Sequence, residues 1–363
     1  MPAFFHNPVA TCFGSGSLNQ ICTLTENHKV ALVTFAQARG LGLIDRVQAL
    51  LGERLVYIVE DVQPNPDVAQ LRSTYERFWV EAEHCQTVIA LGGGSAIDTA
   101  KALIVGTDSG QFDELLGLLA LGKPFTPVRS KALIAAPTTA GTGSEVTPWA
   151  TIWDSAAQKK YSLHLECTWP KAAIVDPELM LTVPADVTVS TGLDALSHAL
   201  EAIWNVNANP LSDTFAISAI EDILDCLPQL QRDLGNRDLR ARMALAALKA
   251  GMAFSNTKTA LAHSISYEMT LRHGVPHGIA CSFSLPLVLE LAWGRDSARD
   301  CTLQRIFGPD LAQASTRLRA FLHNLGVMTD FADYGVDAEE AQAMIAHALQ
   351  GARGKNFIGA SAA

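Results

Sequence analysis

The segment TVIALGGGSAIDTAKAL constrains the fold of this chain more than any other stretch. An apolar strand, Thr87 to Leu91, runs into Gly92-Gly93-Gly94-Ser95, and a helical pattern that carries Asp98 and Lys101 follows. Glycines let backbone N–H groups close on a diphosphate, and the start of a helix adds partial positive charge. The glycine spacing differs from the common G-x-G-x-x-G pattern, so the segment predicts either a variant phosphate site or an ordinary strand-to-helix turn.

A second segment, KALIAAPTTAGTGSEVT, repeats this arrangement. Its predicted strand, Lys131 to Ala136, is followed by Pro137 and then by hydroxyl side chains interleaved with glycines. Taken together, the two segments predict a nucleotide-binding site. The residues expected to contact the nucleotide are Gly92, Gly93, Gly94, Ser95, Asp98, Thr138, Thr139, Thr142 and Ser144.

Strand and helix patterns alternate in the first half of the chain, which predicts a parallel, Rossmann-like sheet covered by helices on both faces. Ligands of such sheets bind beyond the carboxyl ends of the strands, where both glycine-rich turns fall. The segment Phe4 to Cys12, ending in Gly14-Ser15-Gly16, predicts an edge strand and a hairpin. The predicted core strands are Val30 to Phe35, Leu55 to Val59, Thr87 to Leu91, Lys131 to Ala136 and Ala172 to Val175.

After about residue 186 the composition changes to Ala- and Leu-rich helical patterns such as Thr214 to Leu227 and Asp238 to Phe254, with almost no convincing strand. A chain of 363 residues is long enough for two domains. We therefore predict an α/β dinucleotide-binding domain over residues 1–186 and an all-α metal-binding and substrate domain over residues 187–363.

The helical half carries a candidate set of metal ligands. Asp194 and His198 are spaced i,i+4, which puts a carboxylate and an imidazole on one helix face, although this spacing is also common by chance. His263 and His277 lie far off in sequence, and His277 stands between Pro276 and Gly278 in a predicted turn that could hold its ring stiffly. Three nitrogens and one oxygen suit Fe2+ or Zn2+, between which ligand type alone does not decide.

Composition excludes several other classes of function. The formal charge of −10, with no basic run, argues against a nucleic-acid or anionic-membrane surface. No apolar stretch reaches membrane-spanning length and the start lacks a signal-peptide pattern, so we expect a cytoplasmic protein. The seven cysteines are scattered without a C-x-x-C pair, which indicates neither a disulfide framework nor a zinc knuckle.

Four features together resemble the iron-dependent, or group III, alcohol dehydrogenases over nearly the whole chain. They are the runs LGGGSAIDTAKA, PTTAGTGSEVT and AAIVDPELMLTVP and the set Asp194, His198, His263 and His277. The resemblance implies the fold shared with dehydroquinate synthase, a metal ion (Fe2+ or Zn2+) on those four residues, NAD(P)H on the two glycine-rich segments, and a homodimer paired through the N-terminal segment.

This chain departs from that family at positions expected to contact cofactor and substrate. Tyr267 stands where many relatives have a second histidine, four residues after His263; its phenol can pass a proton or can simply pack. Lys160 matches a lysine that relatives place near the cofactor. Lys258 replaces a usually small residue, and it either binds an anion or extends to solvent.

Cations near the metal ligands suggest a small, doubly charged anionic substrate. The candidate catalytic residues are therefore Tyr267 and Lys160, and the candidate substrate-binding residues are Asn256, Lys258, Arg272 and His273. For the cofactor, the first strand is followed by no acid, and Arg39 either meets a 2′-phosphate or is solvated. The sequence thus predicts that NADPH can be used and that the enzyme is not strictly specific for NADH.

The runs TPWATIWD, KKYSLH, TKTALAHSISY and VPHGIACSFSLP resemble the phosphonoacetaldehyde reductase subgroup, which makes 2-hydroxyethylphosphonate. The resemblance implies metal-dependent, NAD(P)H-linked reduction of phosphonoacetaldehyde. Two alternatives stay open: a general aliphatic alcohol or diol dehydrogenase of the same family, and a dehydroquinate-synthase-like lyase. Those lyases use one glutamate and two histidines, so Asp194 with three histidines favours the dehydrogenases.

Overall fold

A computed structural model describes residues 4–360 and divides the chain into two compact units. The first unit comprises Pro8–Thr139 and Ser144–Met180. The second comprises residues 4–7, Ala140–Gly143 and the described chain from Leu181 to residue 360. These units are defined by packing alone, and the functional division at residue 186 stays a prediction.

The first unit is built on a six-stranded, wholly parallel sheet with the order β1-β10-β7-β4-β2-β3. Two short antiparallel pairs, β5-β6 and β8-β9, accompany it. The strands are β1 Ala10–Phe13, β2 Val30–Phe35, β3 Leu55–Val62, β4 Thr87–Gly92, β5 Val105–Gly106, β6 Arg129–Ser130, β7 Ala132–Pro137, β8 Ala150–Asp154, β9 Lys159–Leu163 and β10 Ala172–Val175.

Alternate residues of the central strands are buried in two different hydrophobic clusters, one on each face of the sheet. Val88 and Ala90 of β4 belong to one cluster, whereas Ile89 and Leu91 belong to the other. Because both faces are covered, the strands read as continuous apolar runs, which is typical of parallel sheets. The helices of this unit are α1 Ile21–Leu24, α2 Leu43–Leu51, α3 Val68–Glu81, α4 Gly94–Leu103 and α5 Asp113–Leu121.

The second unit is helical, and no named β-strand occurs between Leu181 and residue 360. Apolar faces of its three longest helices form one core, with Leu196, Ile220 and Ala250 fully buried. None of the described helices combines the length and the apolar character needed to span a membrane. The helices are α6 Ala185–Ile203, α7 Pro210–Arg232, α8 Arg237–Thr257, α9 Leu261–His273, α10 His277–Ser282, α11 Leu285–Ala292, α12 Ser297–Phe307, α13 Leu311–Asn324 and α14 Ala338–Gln350.

The parallel α/β sheet and the helical C-terminal half are confirmed, but two local predictions are wrong. The N-terminal segment forms an edge strand without a hairpin, because β1 pairs in parallel with β10 and the chain then enters a 3-10 helix at Ser17–Gln20. His277 does not sit in a turn: it is the first residue of α10, and Pro276 occupies the N-cap position of that helix. The hairpin formed by β8 and β9 was not predicted.

Candidate functional site

Helix α6 presents three polar side chains from one buried face. Asp194, His198 and Glu201 follow one another at intervals of four and three residues, so they lie on one side of the helix. Their exposed fractions are 3%, 5% and 0%, respectively. A buried carboxylate is costly unless it is paired, so this face requires partners from other helices.

Those partners come from α9 and α10. His263 lies in the first turn of α9, and His277 begins α10. The close approach of α10 to α6 depends on Gly278, since a Cβ atom there would lie 1.9 Å from the carbonyl oxygen of Ser190. The chain therefore positions the His277 ring by a helix contact that admits only glycine.

The ring and carboxylate groups converge on one point. His263 Nε2 lies 3.4 Å and His198 Nε2 3.9 Å from the same oxygen, Asp194 Oδ1. The His198 and His263 rings stack with centroids 4.5 Å apart, and the His263 and His277 rings meet edge-on at 5.8 Å. On its other face the His198 ring stacks on Phe254 at 4.0 Å.

The structure adds a residue that the sequence did not single out. Donor atoms of Asp194, His263, His277 and Cys281 all lie within 4.8 Å of one another, a spacing that suits a metal ion. Cys281 Sγ lies 3.6 Å from His277 Nε2. The spacing of His277 and Cys281 is i,i+4, which would have revealed the thiol once His277 was placed on a helix rather than in a turn.

Glu201 orients the His263 ring. One carboxylate oxygen of Glu201 lies 2.6 Å from His263 Nδ1 and accepts a hydrogen bond from the backbone N–H of Ala260, and the other accepts from the backbone N–H of His263. With Nδ1 donating, Nε2 of the neutral ring carries a lone pair directed toward Asp194. A carboxylate that fixes the tautomer in this way is the usual support of a metal-binding histidine.

A metal ion fits this arrangement. Within residues 4–360, Asp194 Oδ1 and His263 Nε2 are buried and make no hydrogen bond, although they lie 3.4 Å apart. Two acceptors that face each other in a dry site repel unless a cation lies between them. The donor set, with one carboxylate and several imidazoles, is one that first-row divalent ions accept.

The charges of these side chains favour the same conclusion. Burial lowers the pKa of His198 to about 4, which keeps its ring neutral and able to donate a lone pair. Burial alone would raise the pKa of Asp194, but the neighbouring imidazoles hold it well below its ordinary value. Burial lowers the pKa of His263, yet Cys281 and Glu201 outweigh it and raise the pKa well above the ordinary value.

The triple-glycine turn in the first unit lies between β4 and α4. A Cβ atom on Gly92 would lie 2.6 Å from Cβ of Ala96, and one on Gly93 would lie 3.2 Å from Oγ1 of Thr139. Gly93 occupies the N-cap position of α4 without a side-chain cap, so the first N–H groups of the helix stay available to an anion. The two glycine-rich segments also meet directly, since the N–H of Thr138 donates to the carbonyl of Gly92.

Below this turn a buried polar network joins the two segments. Asp98 accepts hydrogen bonds from Ser144 Oγ at 2.6 Å and from the Thr151 N–H at 2.8 Å. The Lys101 ammonium donates to Ser144 and to the carbonyl of Trp149, and burial lowers its pKa to about 8. Asp98 and Ser144, both predicted to contact the nucleotide, are thus used to fix the loops.

The other predicted contact residues of these segments fall in different places. Ser95 accepts a hydrogen bond from the N–H of Asn65. Gly94 is the first residue of α4. Thr142 lies in Ala140–Gly143, the segment that belongs to the helical unit. Next to it Gly143 has a φ of +60° and packs against Gly251, where a Cβ would lie 2.7 Å from Cα.

Tyr267 lies one turn after His263 on α9, and a cation that the sequence did not single out covers its ring. The guanidinium carbon of Arg353 lies 4.8 Å from the Tyr267 ring centroid. Arg353 is half-buried and follows α14 by a few residues. It follows His263 by 90 positions and His277 by 76 positions in sequence. Only the tertiary fold therefore reveals its contact with Tyr267.

The predicted substrate-binding residues are in different situations. Lys258 is exposed and follows α8 with φ 66° and ψ 171°, a conformation that is essentially confined to glycine. The Asn256 amide is engaged at both ends with the backbone of His6. Arg272 forms an ion pair with Glu268 at 3.0 Å, and His273 lies 3.3 Å from Glu340. Carboxylates thus lie beside Arg272 and His273, and none lies within ion-pair distance of Lys258 among the residues described.

Two further candidates belong to the first unit. Arg39 is exposed and forms an ion pair with Glu60 at 2.8 Å, and hydrogen bonding to Glu60 raises its pKa. A carboxylate is thus already engaged with the cation expected to meet a 2′-phosphate. The Lys160 ammonium lies 4.9 Å from the Trp153 ring centroid, on the neighbouring strand of the β8-β9 hairpin.

Comparison with known proteins covers both units. The family described as iron-containing alcohol dehydrogenase matches residues 8–177, and its C-terminal family matches residues 188–362. The NAD-dependent methanol dehydrogenase of Bacillus methanolicus is 33% identical, covering 95% of this chain and 93% of the relative. The NADPH-dependent butanol dehydrogenase of Clostridium saccharobutylicum is 34% identical, covering 77% and 71%.

Among solved structures, this chain is similar to sulfoacetaldehyde reductase from Bifidobacterium kashiwanohense in complex with NAD+. The TM-score is 0.89 at 30% sequence identity, and the match covers 98% of this chain and 94% of that one. The similarity therefore extends over both units of the chain.

Proposed function

We propose that this chain, which belongs to the iron-containing alcohol dehydrogenase family, reduces a small anionic aldehyde, with phosphonoacetaldehyde as the leading candidate and 2-hydroxyethylphosphonate as its product. The chain is an oxidoreductase of the alcohol dehydrogenase type. The observation that carries the proposal is the pair of facing acceptors, Asp194 Oδ1 and His263 Nε2, which calls for a cation beside buried imidazoles.

The metal would be held by Asp194, His198, His263 and His277, with Cys281 as a further donor within reach, and Fe2+ and Zn2+ both suit such donors. When bound, the ion polarises the aldehyde oxygen as a Lewis acid, and the nicotinamide cofactor supplies the hydride. Glu201 contributes by holding the His263 ring in the tautomer that leaves Nε2 free for the ion.

Tyr267 is the proposed proton-relay residue. It lies on α9 one turn after His263, on the same helix face. The Tyr267 phenol can donate its proton to the alkoxide oxygen that hydride transfer would leave, and the phenolate would then be reprotonated from solvent. Lys160 keeps its proposed role near the cofactor on resemblance alone.

The anionic substrate class rests on two independent observations. A relative of known structure acts on sulfoacetaldehyde, a two-carbon aldehyde with an anionic group. In this chain Lys258 keeps a side chain in a backbone conformation that suits glycine, five residues before His263. Strained residues of this kind concentrate at functional sites, where the strain is retained for a purpose. Lys258 would meet the anionic group of the aldehyde.

For the cofactor we propose that NADH is used and that NADPH is also accepted. The solved relative binds NAD+, and another relative is NADPH-dependent. Arg39 would meet the 2′-phosphate only by leaving Glu60, and that exchange costs little because exposed ion pairs are weak. A thousandfold preference for NADH in kcat/KM would overturn the second half of this proposal.

The test is a substrate panel on metal-loaded protein with each nicotinamide cofactor. Phosphonoacetaldehyde, sulfoacetaldehyde and the neutral aldehyde butanal are compared by kcat/KM, from the absorbance of the reduced cofactor. The proposal expects at least ~tenfold higher kcat/KM for an anionic aldehyde, as one charge-assisted contact provides. Equal values for charged and neutral aldehydes would refute the anionic class and favour the second candidate.

That second candidate is a general aliphatic alcohol dehydrogenase, which the methanol and butanol dehydrogenases among the relatives favour. It would need the same metal and cofactor but no anion-binding group. A lyase related to dehydroquinate synthase would leave the absorbance of the reduced cofactor unchanged overall, so the same assay separates it.

We also propose that two copies of the chain pair through the N-terminal segment. β1 is the edge strand of the six-stranded sheet, so one of its sides carries no strand of the sheet. Phe13, the last residue of β1, is 41% exposed. Sedimentation of the full chain is expected to give twice the mass of 38.8 kDa, and a monomer would contradict the pairing.

A further inference from the structure

We propose that Arg353 is the main receptor for the anionic group of the substrate, binding a phosphonate or sulfonate oxygen pair beside Tyr267. This inference rests on the proposed function and names the residue that selects its substrate class. Arg353 lies outside the residues that the sequence motifs indicated, and it is a different side chain from Lys258, Arg272 and His273.

Within residues 4–360, the Arg353 guanidinium donates no hydrogen bond and has no carboxylate within ion-pair distance. Its guanidinium carbon lies over the face of the Tyr267 ring, 4.8 Å from the centroid. A guanidinium carries five N–H donors in a fixed fork, which matches two oxygens of a phosphonate or sulfonate. A half-buried fork without acceptors is therefore suited to an anion that arrives from outside.

The position of Arg353 is fixed on both sides. The Ser264 hydroxyl donates to the carbonyl of Ala348, and the Asn356 amide donates to the carbonyl of Thr259. Gly354 packs so closely that a Cβ atom there would lie 1.9 Å from the Ala348 carbonyl oxygen. Thr259 and Ser264 flank His263 in sequence, so both anchors attach the Arg353 segment to the residues around that metal ligand.

Arg353 is not required as the counterion of the metal centre. The negative charge of Glu201 raises the pKa of Arg353. Three N–H donors from Ala260 and His263, however, already satisfy that carboxylate. Burial lowers the pKa of Arg353 to about 10, so the side chain is still charged at neutral pH. The cation is therefore free to serve a ligand rather than the fold.

Arg242 on α8 offers a control, because it is also an arginine of this unit but is paired with Asp222 and Asp225. Arg353→Met is expected to raise KM for phosphonoacetaldehyde by ~30-fold or more, since a charge-assisted bidentate contact is lost. The KM of the same variant for butanal should stay within ~threefold of the wild-type value. The KM of Arg353→Lys for phosphonoacetaldehyde should fall between these values, because lysine keeps the charge but not the fork. Arg242→Met should leave the KM of both substrates unchanged.

If Arg353 had only a structural role, its replacement would raise the KM of both substrates. A similar rise for butanal and phosphonoacetaldehyde would therefore overturn the proposal. So would an unchanged KM for phosphonoacetaldehyde in Arg353→Met. Thermal unfolding of each variant shows whether the substitution has destabilised the fold. If it has, inhibition of the wild-type enzyme by methylphosphonate tests the anion site instead.

Methylphosphonate, which cannot be reduced, tests the site in the wild-type enzyme. It is expected to inhibit butanal reduction competitively in the wild type and at least ~tenfold more weakly in Arg353→Met. Absence of competitive inhibition in the wild type refutes the anion site. If instead no aldehyde is turned over but calorimetry detects methylphosphonate binding that Arg353→Met abolishes, the proposed reductase activity fails and the anion site stands.

Discussion

His263 Nδ1 lies 2.6 Å from Glu201 Oε2, deep in the helical unit, while Nε2 of the same ring points at Asp194 Oδ1 across 3.4 Å. One side of the ring thus contacts Glu201, which orients it. The other side faces Asp194, with which it would share a metal ion. Glu201 was not among the residues singled out from the sequence, although it follows His198 by three positions on the same helix face.

The first prediction concerns this orienting acid. Glu201→Gln should weaken metal binding ~10- to 100-fold, because the amide no longer fixes the His263 tautomer. Chelator competition with zinc measures the dissociation constant. Glu221→Gln, an exposed position on α7, is the control and should bind as the wild type does. Unchanged affinity in Glu201→Gln would show that the ring needs no carboxylate to present Nε2.

The second prediction concerns the strained backbone at Lys258. Because φ 66° with ψ 171° suits glycine alone, Lys258→Gly should have a higher free energy of unfolding than Lys258→Ala by ~1 kcal/mol. Both variants lose the ammonium, so both should show a several-fold higher KM for phosphonoacetaldehyde. Denaturant unfolding and steady-state kinetics measure the two effects. An alanine variant as stable as the glycine variant would contradict the strain, whatever the kinetics.

Much of the fold could be predicted because buried parallel strands carry their own signature. The apolar runs at Val30–Phe35 and Ala172–Val175 are strands with those bounds, since both faces of this sheet are covered. The β8-β9 hairpin was missed because its turn lacks an Asn-Gly or Asp-Gly pair; Gln158 takes the positive φ there. The hairpin predicted after β1 failed because glycine marks many kinds of turn.

The candidate site divides in the same way. Short sequence motifs indicated four of its residues, and the structure brings their side chains together: Asp194, His198, His263 and His277. Arg353 stands in no such motif: its place over Tyr267 arises from hydrogen bonds between the segment after α14 and the start of α9. Cys281 lay within reach of sequence reasoning, but only after His277 had been assigned to a helix.

The third prediction concerns pH and the buried Glu145. Burial raises its pKa from 4.5 to about 7, so between these values the folded protein holds a proton that the unfolded chain has released. The free energy of unfolding should therefore fall as pH rises from about 4.5 to 7, by up to about 3 kcal/mol. Lys101, with a pKa lowered to about 8, contributes above this window.

Glu145→Gln keeps the shape but cannot ionise, so its stability should change less than that of the wild type across the same pH range. Denaturant unfolding at several pH values measures the difference. Glu53→Gln, an exposed substitution in the same unit, should follow the wild type. Parallel curves for Glu145→Gln and wild type would mean that the carboxylate is already ionised in the folded protein.

The fourth prediction concerns Cys281, whose donor atom lies within 4.8 Å of those of Asp194, His263 and His277. Thiolates are soft ligands that zinc and cobalt accept. Cobalt-loaded wild type should show a thiolate-to-metal charge-transfer band in the near ultraviolet, and Cys281→Ala should lose it. Cys226→Ala, another buried cysteine of the helical unit, should keep the band. A band that survives in Cys281→Ala would assign it to another group.

The central claim is that one buried cluster holds a metal ion on which turnover depends, and metal content measured together with activity tests it most directly. Wild type loaded with Fe2+ or Zn2+ should bind about one ion per chain and reduce aldehydes with NADH. The variant His277→Ala, once circular dichroism has shown that it is folded, should lose most of its metal content and most of its activity. Full activity in a metal-free His277→Ala protein would contradict the account.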